Sequence, residues 1–164
     1  MTEDLRSKLD ETDWLILSEL QKDARISYAE LGRLVHLSRP AAAERIHRLE
    51  MLGVISGYRA EIDLSSLGYG ITAFLRITSH GTSANLLDVA RSTPEVLECH
   101  RGTGADSFIL KVVVPSLWKL EHVVDRFVRF GQVTASVVMS SVMSKRIVTE
   151  GMESRSGFED GAGI

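Results

Sequence analysis

The sequence predicts an α+β protein: an N-terminal winged helix-turn-helix followed by a ferredoxin-like βαββαβ sandwich. Three observations carry that expectation. Apolar residues recur at helical spacing before residue 63 and at a period of two after residue 70. The gap between the second and third helical stripes is the three to four residues of a helix-turn-helix. Downstream, the elements run strand, helix, strand, strand, helix, strand. The 164 residues, 44% hydrophobic and 25% charged with a net charge of −3, suit one medium domain or two small ones. No apolar run reaches the roughly 18 residues of a membrane span, and MTEDLRSKLDETD is too acidic for a signal peptide. A lone cysteine excludes a disulfide framework within the chain, so a reduced, cytoplasmic setting is expected.

Each element has its own justification. Ile16, Leu17 and Leu20 form the stripe of a first helix, with Asp10 or Thr12 as its cap. Tyr28, Leu31 and Val35 suit a short second helix capped by Ser27. Ser38 caps a third, with Arg39 and Pro40 in its tolerant first turn and Ala42, Ile46 and Leu49 on one face. Residues 54–62 read as a small hairpin, the wing. Strands are expected at residues 71–78, 96–101, 108–114 and 133–142. Helices are expected at 84–91 and 116–130. The resulting division is 1–62 for the helix-turn-helix domain, 63–70 for a linker, 71–149 for the sandwich and 150–164 for a disordered tail.

Charge is concentrated in one segment. Arg25, Arg33, Arg39, Arg45, Arg48 and Arg59 are opposed there only by Glu30, Glu44 and Glu50, whereas the chain before Arg25 is acidic. Arginine without lysine suggests directed contacts, because guanidinium matches phosphate and guanine geometry. Opposite the apolar face of the third helix lie Pro40, Ala41, Glu44, His47 and Arg48, with Arg45 on the flank. Such a helix suits a DNA major groove, Arg reading guanine or phosphate and Glu a cytosine amino group. Ser27, Ser38, Arg39, Pro40, Ala41, Glu44, Arg45, His47 and Arg48 are therefore the expected double-stranded DNA contacts.

The segments Leu9-Asp10-Glu11-Thr12-Asp13, Ile16-Leu17, Asp23-Ala24-Arg25-Ile26-Ser27, Glu30-Leu31, Leu37-Ser38, Arg45-Ile46-His47-Arg48-Leu49-Glu50 and Gly53-Val54-Ile55 resemble the Lrp/AsnC family of feast/famine transcription regulators. With the βαββαβ pattern that follows, the resemblance extends to about Thr149. It implies a nucleoid-associated transcription regulator, not an enzyme, whose second domain forms oligomers and senses an amino acid.

Two further expectations rest on the residues themselves. In Phe108-Ile109-Leu110-Lys111-Val112-Val113-Val114 both alternating faces are apolar, which marks a strand buried on two sides. Phe74, Leu97 and Val138 sit out of phase with Leu75, Val96 and Val137. Two crossover helices cover only one face, so a homodimer packed sheet against sheet is expected, with tetramers or octamers beyond it. The loop Arg101-Gly102-Thr103-Gly104-Ala105-Asp106-Ser107 is suited to a free amino acid: Asp106 for the ammonium, and the amides of Gly102 to Gly104 with Thr103 and Ser107 for the carboxylate. A plain hairpin using Gly and Asp for turn geometry accounts for the same residues. The resemblance favours the sensor, because the family places its effector pocket at a Gly-x-x-Asp element between subunits; here the acid stands one position earlier.

Other signals are weaker. Gly102-Thr103-Gly104 leads into a strand, where a dinucleotide fingerprint needs a helix. Cys99 and His100 are neighbours on a strand and point to opposite faces, so they make no nucleophile and base pair. The five histidines show no metal-binding spacing, and no cofactor is expected besides an amino-acid effector. The rival readings are a winged-helix repressor without small-molecule sensing and an enzyme on the ferredoxin-like half.

Overall fold

The structure, a computed structural model, describes residues 5–79, 84–143 and 146–150. It divides into two compact units, one built on the chain up to Ala60 and from Met143 onward, the other on Glu61–Val142.

The first unit holds three helices, α1 (Glu11–Lys22), α2 (Tyr28–Leu34) and α3 (Arg39–Met51). The first cap is Asp10, not Thr12. Asp10 and Asp13 form a reciprocal capping box, the Asp13 amide donating to Asp10 Oδ1 at 2.9 Å and the Asp10 amide to Asp13 Oδ2 at 3.1 Å. Ser27 caps α2 by accepting from the Glu30 amide, and Ser38 caps α3 by accepting from the Ala41 amide. Ile16, Leu31, Val35, Ile46 and Leu49 form the core, bordered by Leu9, Leu17, Leu20, Ile26, Leu37, Val54 and Ile55.

The turn between α2 and α3 depends on two residues that hydrophobic periodicity does not single out. His36 sits in the left-handed region at φ 57°, and the Leu37 amide reaches back to the Gly32 carbonyl at 2.7 Å, a helix-terminating Schellman bond. A side chain at Gly32 would place its Cβ 2.6 Å from the Leu37 carbonyl oxygen. The tight angle between the two helices therefore requires glycine at that position.

The expected wing is corrected. Residues 54–62 form no strand ladder. Val54 and Ile55 pack on the helical core, and the Tyr58 hydroxyl donates to Glu50 Oε1 at 2.9 Å. These contacts bind the segment to the core and to α3, while an isolated two-stranded ribbon is marginal in water.

The second unit is a four-stranded antiparallel sheet, β1 (Ile71–Ser79), β2 (Val96–Arg101), β3 (Phe108–Val114) and β4 (Gly131–Val137), in the order β2-β3-β1-β4. Its helices are α4 (Ala84–Ser92) and α5 (Leu117–Asp125). Leu86, Ala90, Leu120, Val123 and Phe127 pack on Ala73, Leu75, Ile77, Phe108, Leu110, Val112 and Val114, so the helices cover one face as the topology requires. The helix expected to reach residue 130 stops at Asp125 and tightens into a short 3-10 turn, Val128–Phe130. The fourth strand, expected over 133–142, ends at Val137, where it faces Ala73 near the start of β1. Beyond it the Val138 amide still donates to the Thr72 carbonyl at 2.9 Å, and the ladder goes no further.

The opposite face of the sheet carries Thr72, Phe74 and Arg76 of β1, Ile109, Lys111 and Val113 of β3, Glu98 and His100 of β2, and Thr134 and Ser136 of β4. Val113 is buried and Ile109 half-buried, while Phe74 stays 40% exposed. This face is mixed and not wholly apolar: Glu98 bridges Lys111 at 3.0 Å and His100 at 3.3 Å across it.

The last described stretch joins the helical unit. The Gln21 side-chain amide pairs with the Val148 backbone in both directions, donating to its carbonyl and accepting from its amide at 2.9 Å each. In the sequence division this stretch, up to residue 149, belongs to the sandwich. The expected tail, apart from Glu150, lies outside the described residues, as does His80.

Candidate nucleic-acid interface and effector loop

The apolar stripe Ala42, Ile46 and Leu49 fixes the orientation of α3, since all three are buried. The opposite face therefore carries Pro40, Glu44 and His47, all exposed, with Met51 one turn further on. The His47 side chain is 74% exposed and stands 3.8 Å from Glu50. Ser38 and Arg39 lie exposed at the start of this helix, Ala41 is half-buried on its flank, and Ser27 is exposed ahead of α2. The oxygens of Ser27 and Ser38 already accept cap hydrogen bonds, which leaves their hydroxyl hydrogens to donate outward.

Arg45 and Arg48 behave differently from the sequence expectation. Arg45 donates to both carboxylate oxygens of Asp10, at 2.7 and 2.6 Å, and to Asp13 Oδ1 at 3.1 Å. Arg48 donates to Asp13 Oδ2. The Asp13 side chain is fully buried, so these two guanidiniums neutralise a carboxylate that would otherwise be stranded in the core. Hydrogen bonding to Arg45 holds the Asp10 carboxyl below its ordinary value. Both arginines thus fasten α3 to the start of α1, an engagement that their reading as groove contacts had not included. The signal was in the sequence, where the acids of Leu9-Asp10-Glu11-Thr12-Asp13 complement Arg45 and Arg48, but nothing in a linear pattern shows that the segments meet.

On the other flank of α3, Arg25 and Arg39 line an open depression of about 500 Å3 together with Leu20, Ala24, Ile26, Ser27, Tyr28, Ala29, Ile46 and Tyr58. Burial, followed by the bond to Glu50, pushes the Tyr58 hydroxyl up to about 12. Arg25, Tyr28 and Tyr58 escaped the list of sequence candidates because they come from three separate segments.

In the second unit, the loop between β2 and β3 is closed by the Gly102 amide donating to the Ser107 carbonyl at 3.1 Å. A Cβ at Gly102 would meet the Asp106 carbonyl oxygen at 2.8 Å. The Ser107 amide donates to Ile77, and its hydroxyl oxygen accepts from the Ser79 amide at 3.2 Å. Gly102 is therefore corrected as an anion donor: its N–H closes the loop, and its missing side chain permits that closure. Thr103 and Gly104 are exposed at the tip, Gly104 with φ 96°. Asp106 is half-buried, and no hydrogen bond or ion pair engages its carboxylate among the described residues. Cys99 packs against the core while His100 lies on the opposite face. Burial pushes the Cys99 thiol up, away from a reactive thiolate.

Among the described residues no three His, Cys, Asp or Glu side chains are grouped to hold a metal, and no helix is long and apolar enough to cross a membrane.

A helix-turn-helix unit joined to a ferredoxin-like unit defines the architecture of a DNA-binding regulator with an effector domain. Residues 9–50 match the AsnC-type helix-turn-helix domain, and residues 72–148 match the Lrp/AsnC ligand binding domain. The chain is 43% identical over 133 residues to the uncharacterized HTH-type transcriptional regulator YezC of Bacillus subtilis strain 168, covering 81% of this chain and 95% of the relative. It is 32% identical to the HTH-type transcriptional regulator LrpC of the same organism, over 84% of this chain and 96% of that protein. The solved structure of B. subtilis LrpC superposes with a TM-score of 0.79 at 31% identity, covering 84% of this chain and 99% of the other. The Neisseria meningitidis transcriptional regulator NMB0573, solved as an L-Met complex, superposes with a TM-score of 0.81 at 26% identity, over 87% and 97%. The chain belongs to the Lrp/AsnC family of transcriptional regulators, and its relatives are regulators, not enzymes.

Proposed function

We propose that this regulator binds double-stranded DNA through α3, works as a homodimer or a larger assembly of dimers, and adjusts its binding to an amino acid or related metabolite. Acting on DNA, it works in the cytoplasm at the nucleoid. The observation that carries the reading is the outward face of α3, where Pro40, Glu44 and His47 stand exposed behind Ser38 and Arg39. The ion pairs of Arg45 and Arg48 with Asp10 and Asp13 brace that helix along its side. Glu44 and His47 are the base-reading candidates, and Ser27, Ser38 and Arg39 the backbone ones. Pro40 and Ala41 keep the front of the helix short enough for close approach.

The second half of the reading rests on the sheet and the loop. Phe74 and the half-buried Ile109 form an apolar strip on the face that the helices leave bare, and a second copy placed against it removes that strip from water. Asp106 offers a carboxylate to an ammonium group, with Thr103, Gly104 and the Ser107 hydroxyl beside it for the effector's carboxylate. The neighbour solved with L-methionine supports an amino acid as the effector class.

Fluorescence anisotropy on a duplex from the gene's own upstream region, repeated with each of the twenty amino acids, tests the reading. Binding that Glu44→Ala plus His47→Ala abolishes, and that at least one amino acid alters, is expected. Undiminished binding by that variant would refute the role of the α3 face, and indifference to every amino acid would refute the sensor.

A further inference from the structure

Of the arginines in the basic segment, three have acidic partners: Arg33 lies 3.9 Å from Glu30, and Arg45 and Arg48 hold Asp10 and Asp13. Arg25 and Arg39 are exposed, and no carboxylate pairs with either side chain among the described residues. They come from different segments, one before α2 and one at the first position of α3, yet they line the same depression. No acid lines it. Asp23 accepts from the Arg25 amide at 2.8 Å and Glu50 from the Tyr58 hydroxyl at 2.9 Å. The residues lining it thus include two arginines, Ser27 and Tyr28 around about 500 Å3 of open space.

Arg39 also stands well round the helix from Glu44 and His47. Five residues before Glu44 and eight before His47, at about 100° per residue, it is turned about 140° and about 80° away from them. A guanidinium placed there reaches the rim of a groove, where phosphates run, and not the base edges.

We infer that the Arg25–Arg39 depression seats a backbone phosphate of the DNA duplex, fixing the register in which α3 meets the bases. The inference rests on the DNA-binding reading above and adds to it the seat that supplies sequence-independent affinity. Two guanidiniums matched to one phosphodiester give charge-assisted, directional contacts, and neutralising that phosphate releases its condensed counterions.

The test compares the full-length protein with Arg25→Gln/Arg39→Gln and Arg25→Lys/Arg39→Lys, on the upstream duplex and on an unrelated duplex, over a salt series. Both side chains are exposed and unpaired, so the melting temperature should not move. The Gln variant should lose roughly tenfold or more in affinity on both duplexes alike. Its slope of log affinity against log salt should be shallower by about 0.9, the share of the one phosphate that the two arginines seat. The Lys variant should restore most of the slope. An unchanged salt slope in the Gln variant, while the unaltered protein binds DNA, overturns the phosphate seat and leaves the α3 reading standing. A loss confined to the upstream duplex also overturns it, because that would make the arginines base readers. Failure of the unaltered protein to bind either duplex overturns the DNA-binding reading itself.

Discussion

Asp13 shows how one side chain can set the meaning of two others. Fully buried at the third position of α1, it caps the helix and receives Arg45 and Arg48. Removing a partner leaves a carboxylate without compensation in the core, although the partial exposure of both guanidiniums moderates the cost. Arg48→Ala should lower unfolding free energy by about 1–3 kcal/mol in urea titrations. Asp10 adds a pH dependence. Its folded-state value lies below its ordinary 3.8, chiefly through the hydrogen bond from Arg45. The stabilisation is therefore complete above that ordinary value and is lost as pH falls through the lowered one. Asp10→Asn keeps the cap and removes the titration, so its urea midpoint should drop less between pH 5 and pH 3 than that of the unaltered protein.

At the scale of elements, the α2–α3 turn makes two predictions of opposite sign. Gly32→Ala forces a Cβ to within 2.6 Å of the Leu37 carbonyl, so the turn must open or the helices must part. A loss of about 1–3 kcal/mol is expected, the usual cost of overpacking, together with weaker DNA binding as α3 tilts. His36→Gly relieves a side chain held at φ 57° and should raise stability by up to about 1 kcal/mol, the usual left-handed penalty. Thermal melts of the two variants check both signs; equal destabilisation would refute this account of the turn. Element boundaries followed the same logic of available partners. β4 stops opposite Ala73 near the start of β1, and Val54, Ile55 and Tyr58 are held by the helical core and α3 where a hairpin was expected.

At the scale of the whole molecule, the bare face of the sheet is the consequential surface. Phe74 lies opposite Lys111 on one side and Ser136 on the other, an apolar group set in a polar frame. Phe74→Glu introduces a charge into that strip without touching the core beneath the helices. Light scattering behind a sizing column should report a shift from dimer or larger assemblies toward single subunits. A wild-type protein that is already monomeric at micromolar concentration would refute pairing through this face. Loss of assembly should also weaken DNA binding, since two α3 helices at fixed spacing gain affinity that one does not.

The sequence by itself determined the order and type of nearly every element, because hydrophobic period and capping residues act locally: Asp10, Ser27 and Ser38 each mark a helix start within three residues of the amide they satisfy. It also separated the core face of α3 from its exposed face through Ala42, Ile46 and Leu49. Only the tertiary structure decided which arginines are committed inside the protein and which remain open, since that depends on Asp10 and Asp13 arriving beside residues more than thirty positions away. Only the tertiary structure likewise placed Arg25 beside Arg39, and turned the Gly102 amide from an expected donor into the closure of its own loop. Periodicity fixes the direction in which a side chain points along its own element. Which group it meets is fixed by how the elements pack.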